Sequence, residues 1–271
     1  MTTRLRRLGV CAASAGVLAA VVPAAASATP VITLSGSTSV APLTTLLAKA
    51  YVKSHPGKVK FKLAQGGSDV GVADVAAGRV TIGASSRDPK SSDPGGIFFN
   101  KIARDAICIA THPNNKLANL SQATIQAIFS GDIRDWSQVP GATATGTIDL
   151  VGRTAASGTQ DAFQKIFMGT KTITSSIAAK ASNGLVQQAV QSNPNAIGYV
   201  SLDFIAGTNV AGYNGVACNL RNAKSGQYPG VRNFWFVTLG QPKGEVKKFI
   251  DFARSPAVQG SIVAKDYVPF K

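Results

Sequence analysis

Short runs of β-branched and apolar residues alternate along the chain with stretches whose apolar residues recur at helical spacing. The first run, at 31–34, precedes a stretch that places Leu43, Leu47 and Tyr51 on one helical face and ends before Pro56. Repeated strand–helix units of this kind are typical of α/β proteins. The pattern therefore predicts an α/β fold with a parallel sheet wrapped by helices.

The same alternation continues to the end of the chain. It predicts further strands at 59–63, 80–83, 106–110, 148–151, 196–200 and 233–238, and further helices at 72–76, 121–129, 158–167, 184–191 and 246–253. No internal repeat and no low-complexity linker divides the sequence. Two lobes would therefore have to be joined by strands.

The first 28 residues have the order of a secretory signal: a basic start, an apolar run over 8–22 and a small-residue triplet at 26–28. We expect cleavage after Ala28. Cys11 lies near the start of the apolar run, away from the cleavage point, so we expect no lipid anchor. The mature chain should then be secreted or lie on the exterior of the cell envelope.

The charge is strongly positive, with 28 Lys and Arg against 13 Asp and Glu, and Glu245 is the only glutamate. Without residues 1–28 the formal charge is still +12. The basic residues are not interleaved with aromatic ones; Lys58, Lys60 and Lys62 instead alternate as one solvated strand face. We therefore expect no nucleic-acid partner, and a field that attracts anions in general.

Two cysteines, Cys108 and Cys218, remain after signal removal. An oxidising compartment favours a disulfide between them. The alternative is a pair of buried thiols, each packed as a small apolar side chain.

Three strand-to-helix turns are rich in Gly, Ser and Thr, at 36–40, 66–69 and 153–159. Glycine allows close approach to a ligand, and helix starts and hydroxyl groups donate hydrogen bonds to anions. With Arg153, the three turns would supply most of the donors that a small tetrahedral oxyanion needs. Two alternatives are that Ser39, Ser68 and Thr159 only cap helices, and that Arg153 is a surface residue paired with Asp149 or Asp161.

These turns belong to a longer series of motifs that resembles the phosphate-binding proteins of bacterial phosphate-specific ABC transporters. The motifs lie at 36–42, 83–87, 102–105, 128–136, 153–159, 196–200, 228–229 and 249–256. The resemblance implies a type II periplasmic-binding-protein fold, with two α/β lobes joined by a hinge and a ligand cleft between them. It implies a first lobe at 29–103 and 206–271 and a second at 104–205, with crossings near 104–110 and 200–205.

Carried over position by position, the resemblance also implies the phosphate-binding residues. They are Thr38, Ser39, Ser68, Ser86, Arg153, Ser157, Gly158 and Thr159. Arg153 would contribute the single formal charge and bind two phosphate oxygens. Some family members have Asp where Ser86 stands, and that carboxylate accepts the proton that phosphate carries and sulfate lacks. Asp69 and Asp88 are close enough in sequence to replace it.

The sequence thus predicts a secreted solute-binding protein that captures inorganic phosphate for ABC-type uptake, with no chemical step. Alternatives are capture of another oxyanion, such as sulfate or molybdate, and a secreted hydrolase. Against a hydrolase, His55 and His112 each precede a proline, and neither a paired-histidine metal motif nor a Gly-x-Ser-x-Gly turn occurs. We expect a monomer without catalytic residues, metal or cofactor. Delivery to an ABC permease at the membrane and release as a scavenger or cell-wall-associated binder both stay open.

Overall fold

The computed structural model describes residues 1–2 and 29–270. The predicted signal peptide falls on 1–28, so almost all of it lies outside the described residues. Within the described part, no helix combines the length and the apolar character needed to cross a bilayer.

The elements largely follow the predicted alternation. The strands are β1 (Val31–Gly36), β2 (Lys60–Leu63), β3 (Ile82–Ser85), β4 (Ile97–Thr111), β5 (Asn119–Leu120), β6 (Asp149–Arg153), β7 (Ala178–Lys180), β8 (Ala196–Ser201), β9 (Asn209–Tyr213) and β10 (Val231–Leu239). The helices are α1 (Ala41–Ser54), α2 (Ser68–Ala76), α3 (Gln122–Ser130), α4 (Gly158–Phe163), α5 (Asn183–Ser192), α6 (Leu220–Ser225), α7 (Gly244–Arg254), α8 (Pro256–Val258) and α9 (Ala264–Asp266). A π-helical segment, Gln164–Met168, extends α4, and another, Gln259–Val263, joins α8 to α9.

The strands form one sheet in the order β2-β1-β3-β10-β4-β8-β6-β7, with β9 beside β4 and β5. β1 is parallel to β2 and β3, and β6 is parallel to β7 and β8. β10 is antiparallel to β3 and β4, and β4 is antiparallel to β8 and β9. The α/β class is confirmed, but a wholly parallel sheet is wrong. The two central strands, β10 and β4, lie between the parallel group β2-β1-β3 and the parallel group β8-β6-β7. They run in opposite directions, so they pair antiparallel.

β4 pairs with strands in both halves of the molecule. Its residues 97–106 pair with β10, and 107–111 pair with β8. One large apolar cluster forms around Leu43, Phe236 and Phe249, and the other around Phe129 and Tyr199. The described chain is therefore two α/β lobes, and β4 runs without interruption from one to the other.

Residues after 205 also pack against the second cluster. β9 pairs with residues 109–111 of β4, and the Tyr228 hydroxyl donates to the main-chain oxygen of Ile107 at 2.7 Å. Ala211, Tyr213 and Tyr228 all belong to the second cluster. β9 therefore pairs beside β4 before the chain reaches β10.

The predicted disulfide is confirmed: Cys108 and Cys218 are bonded, with their Cα atoms 5.6 Å apart. Cys108 lies on β4 just after that strand changes partner, and Cys218 lies between β9 and α6. The bond therefore attaches the segment after β9 to the strand that crosses between the lobes.

β2 forms one end of the sheet and has β1 as its only strand partner among the described residues. Lys60 and Lys62 on this strand are exposed. They form the solvated face that the alternating sequence predicts.

Candidate functional site

The three predicted turns come together between the lobes. The first follows β1, the second begins α2 and the third joins β6 to α4, while Ser86 follows β3 directly. All eight predicted site residues are buried, and Thr38, the most exposed of the seven with a side chain, is only 6% exposed. Residues from distant parts of the chain thus form one buried polar cluster.

One part of the cluster is a serine group made of Ser37, Ser68 and Ser86. The Ser37 hydroxyl donates to Ser86 Oγ at 2.8 Å, and the main-chain N–H of Ser86 donates to Ser68 Oγ at 3.0 Å. Gly158, from the second lobe, lies against this group. A Cβ atom at 158 would stand 2.3 Å from Ser68 Oγ and 2.7 Å from Ser86 Oγ, so only glycine permits this approach.

Arg153 lies beside the serine group at the end of β6. Its Nη1 donates to Thr159 Oγ1 at 3.3 Å and its Nη2 to Thr38 Oγ1 at 3.1 Å. Its Nε and Nη2 also donate to the main-chain oxygens of Lys180 and Ala181. Main-chain oxygens of the second lobe thus orient the guanidinium, which contacts a hydroxyl group from each lobe.

The interpretation of Arg153 as a surface residue in an ion pair is wrong. Asp149 accepts from Asn193, and Asp161 pairs with Lys90 and Lys165. Arg153 is 3% exposed and forms no ion pair within residues 29–270. Burial, and next the nearby positive charge of Arg232, lower the pKa of Arg153 to about 10. A buried cation in this position is suited to bind an anion.

The capping interpretation applies to Ser157. Its Oγ accepts from the main-chain N–H groups of Thr159 at 3.1 Å and Gln160 at 3.4 Å, which caps α4. Ser39 Oγ instead lies 3.0 Å from Thr159 Oγ1, and Ser68 Oγ contacts Ser86. Ser39, Ser68 and Thr159 therefore direct their hydroxyl groups into the cluster and do not cap helices.

Sequence reasoning missed Asn183, the first residue of α5. Its Nδ2 donates to Thr38 Oγ1 at 3.1 Å and to Ser39 Oγ at 2.8 Å. Its Oδ1 accepts from the main-chain N–H of Ser201, which fixes the amide orientation. The Ser-Asn-Gly sequence at 182–184 is a fourth polar turn before a helix and could have indicated this residue.

Arg232 and Asp105 were also missed as members of the cluster. Arg232, on β10, donates through Nη1 to Thr159 Oγ1 at 2.9 Å and through Nη2 to Ser39 Oγ at 2.8 Å. Its Nε and Nη2 donate to Asp105 Oδ2 on β4 at 3.1 and 2.9 Å. No local pattern marks an arginine within a strand as a site residue, so the sequence carried no signal for Arg232.

Neither Asp69 nor Asp88 replaces the carboxylate that the resemblance expects at position 86. Asp69 pairs with Arg87 at 2.5 Å, while Asp88 accepts from Asn233 and Trp235. The hydroxyl cluster therefore has cations and neutral groups as its direct partners in the described chain. No group of three metal-binding side chains occurs in residues 1–2 and 29–270.

An open cleft of about 340 Å³ reaches the cluster from the solvent side. Thr38 and Gln65 line it from the first lobe, and Ser182, Gly184 and Phe204 line it from the second. The cleft therefore borders the cluster at Thr38.

The chain has relatives among known sequences. Residues 23–257 match the family model described as the PBP superfamily domain. The phosphate-binding protein PstS of Bacillus subtilis strain 168 is 28% identical over 244 residues, covering 88% of this chain and 80% of that protein. PstS of Borreliella burgdorferi is 26% identical over 255 residues, covering 89% and 90%.

Solved structures give the same result. A candidate phosphate ABC transporter substrate-binding protein from Clostridium perfringens, crystallised with bound phosphate, has a TM-score of 0.83 and 33% identity over 89% of this chain and 100% of that one. An ABC-type phosphate transport receptor from Vibrio cholerae has a TM-score of 0.70 and 26% identity over 88% and 99%. The predicted type II periplasmic-binding-protein fold is confirmed, and the chain belongs to the PBP superfamily and, within it, to the family of phosphate-binding proteins of ABC transporters.

Proposed function

We propose that this protein captures inorganic phosphate in the buried cluster between its lobes and carries out no chemical step. The observation that carries this proposal is the Arg153 guanidinium, buried among hydroxyl groups and main-chain oxygens without a carboxylate partner in the described chain. A cation out of water is costly unless an anion compensates it. Phosphate, bound by the Clostridium perfringens relative, is the anion that family membership favours.

The proposed ligand-binding residues are the eight that the sequence singled out. Arg153 donates two charge-assisted hydrogen bonds, and Thr38, Ser39, Ser68, Ser86 and Thr159 donate from their hydroxyl groups. Gly158 gives access to its main-chain N–H, and Ser157 keeps its own proton to donate while its oxygen caps α4. In place of the missing carboxylate, the hydroxyl oxygen of Ser68 or Ser86 accepts the proton of phosphate.

The two lobes close over the ligand in this proposal. The first comprises 29–106 and 231–270, and the second 107–230, in agreement with the packing of β4, β9 and β10. Contacts across the cleft support closure: the main-chain N–H of Asp69 donates to Ala156 O at 3.1 Å, and Lys90 pairs with Asp161 at 3.1 Å.

The cellular part of the proposal rests on the N-terminal sequence and the family. We infer export through the signal at residues 1–28, a soluble monomer without lipid anchor, and delivery of phosphate to an ABC permease. The names of the relatives from Clostridium perfringens and Vibrio cholerae refer to ABC transport.

Calorimetric titration of the mature chain with phosphate, arsenate, sulfate and molybdate tests the assignment. We expect phosphate and its isostere arsenate to bind most tightly. Preferential binding of sulfate would instead assign the second candidate, a binder of fully ionised oxyanions, which is the outcome that ligand-binding hydroxyl groups without a direct carboxylate partner favour. Heat from none of the four anions would refute the proposal.

A further inference from the structure

The fold brings a second guanidinium, that of Arg232, into the cluster. The sequence predicts only one, that of Arg153. Arg232 Nη1 and Arg153 Nη1 both donate to Thr159 Oγ1, at 2.9 and 3.3 Å. Both arginines are nearly inaccessible, at 5% and 3% exposure. Two positive groups that donate to the same buried oxygen atom repel each other strongly, because little water screens their charges. An arrangement of this kind is stabilised when an anion lies against both groups.

Asp105 compensates only one of the two charges. Its Oδ2 accepts from Arg232 Nε and Nη2 and from the Ser201 hydroxyl at 2.8 Å. These two arginines and one aspartate leave a net charge of +1 in the cluster. Arg87 adds no uncompensated positive charge, because Asp69 and Asp93 already pair with it.

The Arg232 side chain also contacts hydroxyl groups of the protein that are proposed to bind the ligand. Its Nη2 lies 2.8 Å from Ser39 Oγ, which Asn183 Nδ2 also contacts at 2.8 Å. Side-chain nitrogens of Arg153, Arg232 and Asn183 thus converge on three hydroxyl oxygens, those of Thr38, Ser39 and Thr159. Several N–H donors that converge in this way also suit an anion with several oxygen atoms.

From this geometry we propose that Arg232 is a second cationic contact for the bound oxyanion, held in position by Asp105. This inference rests on the proposed function, because it concerns the same ligand. Arg153 contacts the anion from β6 in the second lobe. Arg232 contacts it from β10, the strand that returns to the first lobe, so the anion joins cations from both lobes.

The competing explanation is that Arg232 only neutralises the buried charge of Asp105. The double variant Arg232→Gln with Asp105→Asn separates the two explanations, because it removes both charges and keeps the net charge of the cluster at +1. The amide pair also avoids an uncompensated buried carboxylate. We expect ligand-free double variant to melt within a few degrees of the parent, but to bind phosphate about thirtyfold or more weakly, since two charge-assisted hydrogen bonds are lost.

The variant Arg232→Lys gives a second, independent measurement, and it serves if the double variant does not fold. It keeps the positive charge beside Asp105. A lysine ammonium, however, lacks the planar set of N–H donors with which a guanidinium can contact Ser39, Thr159 and the anion together. We expect about tenfold weaker phosphate binding. Arg79→Gln is the matched control: this exposed arginine also pairs with an aspartate, Asp74, and its loss should leave affinity unchanged.

Phosphate affinity within threefold of the parent in either folded variant would overturn the role of Arg232. The titrations include sulfate, arsenate and molybdate for parent and variants. If the parent binds one of these and not phosphate, the proposed function fails, and the loss with that anion decides the role of Arg232. If the parent binds none of them, both proposals fail.

Discussion

At the residue scale, Arg153 is the side chain on which the proposed site depends most. Arg153→Ala removes two charge-assisted donors from a buried anion, and we expect a loss of roughly 3 kcal/mol or more, about a hundredfold in affinity. Arg153→Lys should recover only part of it. Isothermal titration with phosphate measures both variants. Binding by the alanine variant within about threefold of the parent would show that the site lies elsewhere.

Gly158 offers a test that removes no side-chain donor. In Gly158→Ala, the new methyl group meets Ser68 Oγ at 2.3 Å and the main-chain N–H of Arg87 at 2.8 Å, so the serine group must move. We expect a folded protein with about tenfold or greater loss of phosphate affinity, because misplaced donors lose their hydrogen bonds. Gly95→Ala is the control, since its Cβ meets nothing within 4 Å. Equal affinities for the two variants would contradict the assignment.

Asp203 makes stability depend on pH. Burial raises the pKa of Asp203 to about 6, although the Tyr267 hydroxyl donates to it. A carboxyl group with a raised folded-state pKa adds stability at pH values below about 4, and this contribution is lost as pH rises through 6. We expect Asp203→Asn, which keeps an acceptor for Tyr267, to unfold at higher urea concentration than the parent at pH 7.5, with a smaller difference at pH 4.5. A constant difference across this range would exclude Asp203 as the source.

Some site residues could be identified from the sequence because they lie in a recognisable local pattern, and others could not. Ser39, Ser68 and Thr159 follow strand–turn–helix patterns that are visible locally. Arg232 and Asp105 lie within strands, and only the pairing of β10 with β4 brings them to the cluster. No local pattern encodes that pairing.

At the element scale, the disulfide is expected to contribute measurably to stability. It closes a loop with a sequence separation of 110, for which restriction of the unfolded chain gives about 4 to 5 kcal/mol. Unreduced mature protein should show no free thiol, and denaturation with reductant should reveal two. Reduced protein should melt at a lower temperature. Two reactive thiols in native, unreduced protein would contradict the bond.

Element prediction succeeded where the periodicity was regular, but it gave only part of β4 and gave no β5, β7, β9 or α6. Only 106–110 of β4 was predicted, because charged and polar residues such as Asn100, Lys101 and Arg104 interrupt the apolar pattern of its first half. β9 has only five residues, and Gly212 interrupts its short apolar run, so the alternation does not predict it. β9 pairs with β4, which is why the lobe boundary proposed above lies after β9.

At the scale of the whole molecule, phosphate should both compact and stabilise the protein. The contacts of Asp69 with Ala156 and of Lys90 with Asp161 cross the cleft, and opening the hinge breaks them. We expect X-ray scattering to show a smaller radius of gyration with phosphate than without it. Identical scattering curves at saturating phosphate would count against hinge closure.

The matching thermodynamic measurement is thermal unfolding. Ligand at a hundred times its Kd adds about 2.7 kcal/mol to the free energy of unfolding. The melting temperature should therefore rise with phosphate concentration, and the rise should be lost in Arg153→Ala. An equal rise in both proteins would indicate a nonspecific salt effect.

The lysines on β2 have a consequence for self-association. A strand at the end of a sheet exposes unpaired main-chain groups, to which the same strand of another copy can add, and repeated addition leads to fibrils. β2 is only four residues long and carries Lys60 and Lys62. Two copies that approached edge to edge would bring four ammonium groups together without acidic residues on either strand. We therefore expect charge repulsion to oppose the pairing of two copies at this end of the sheet.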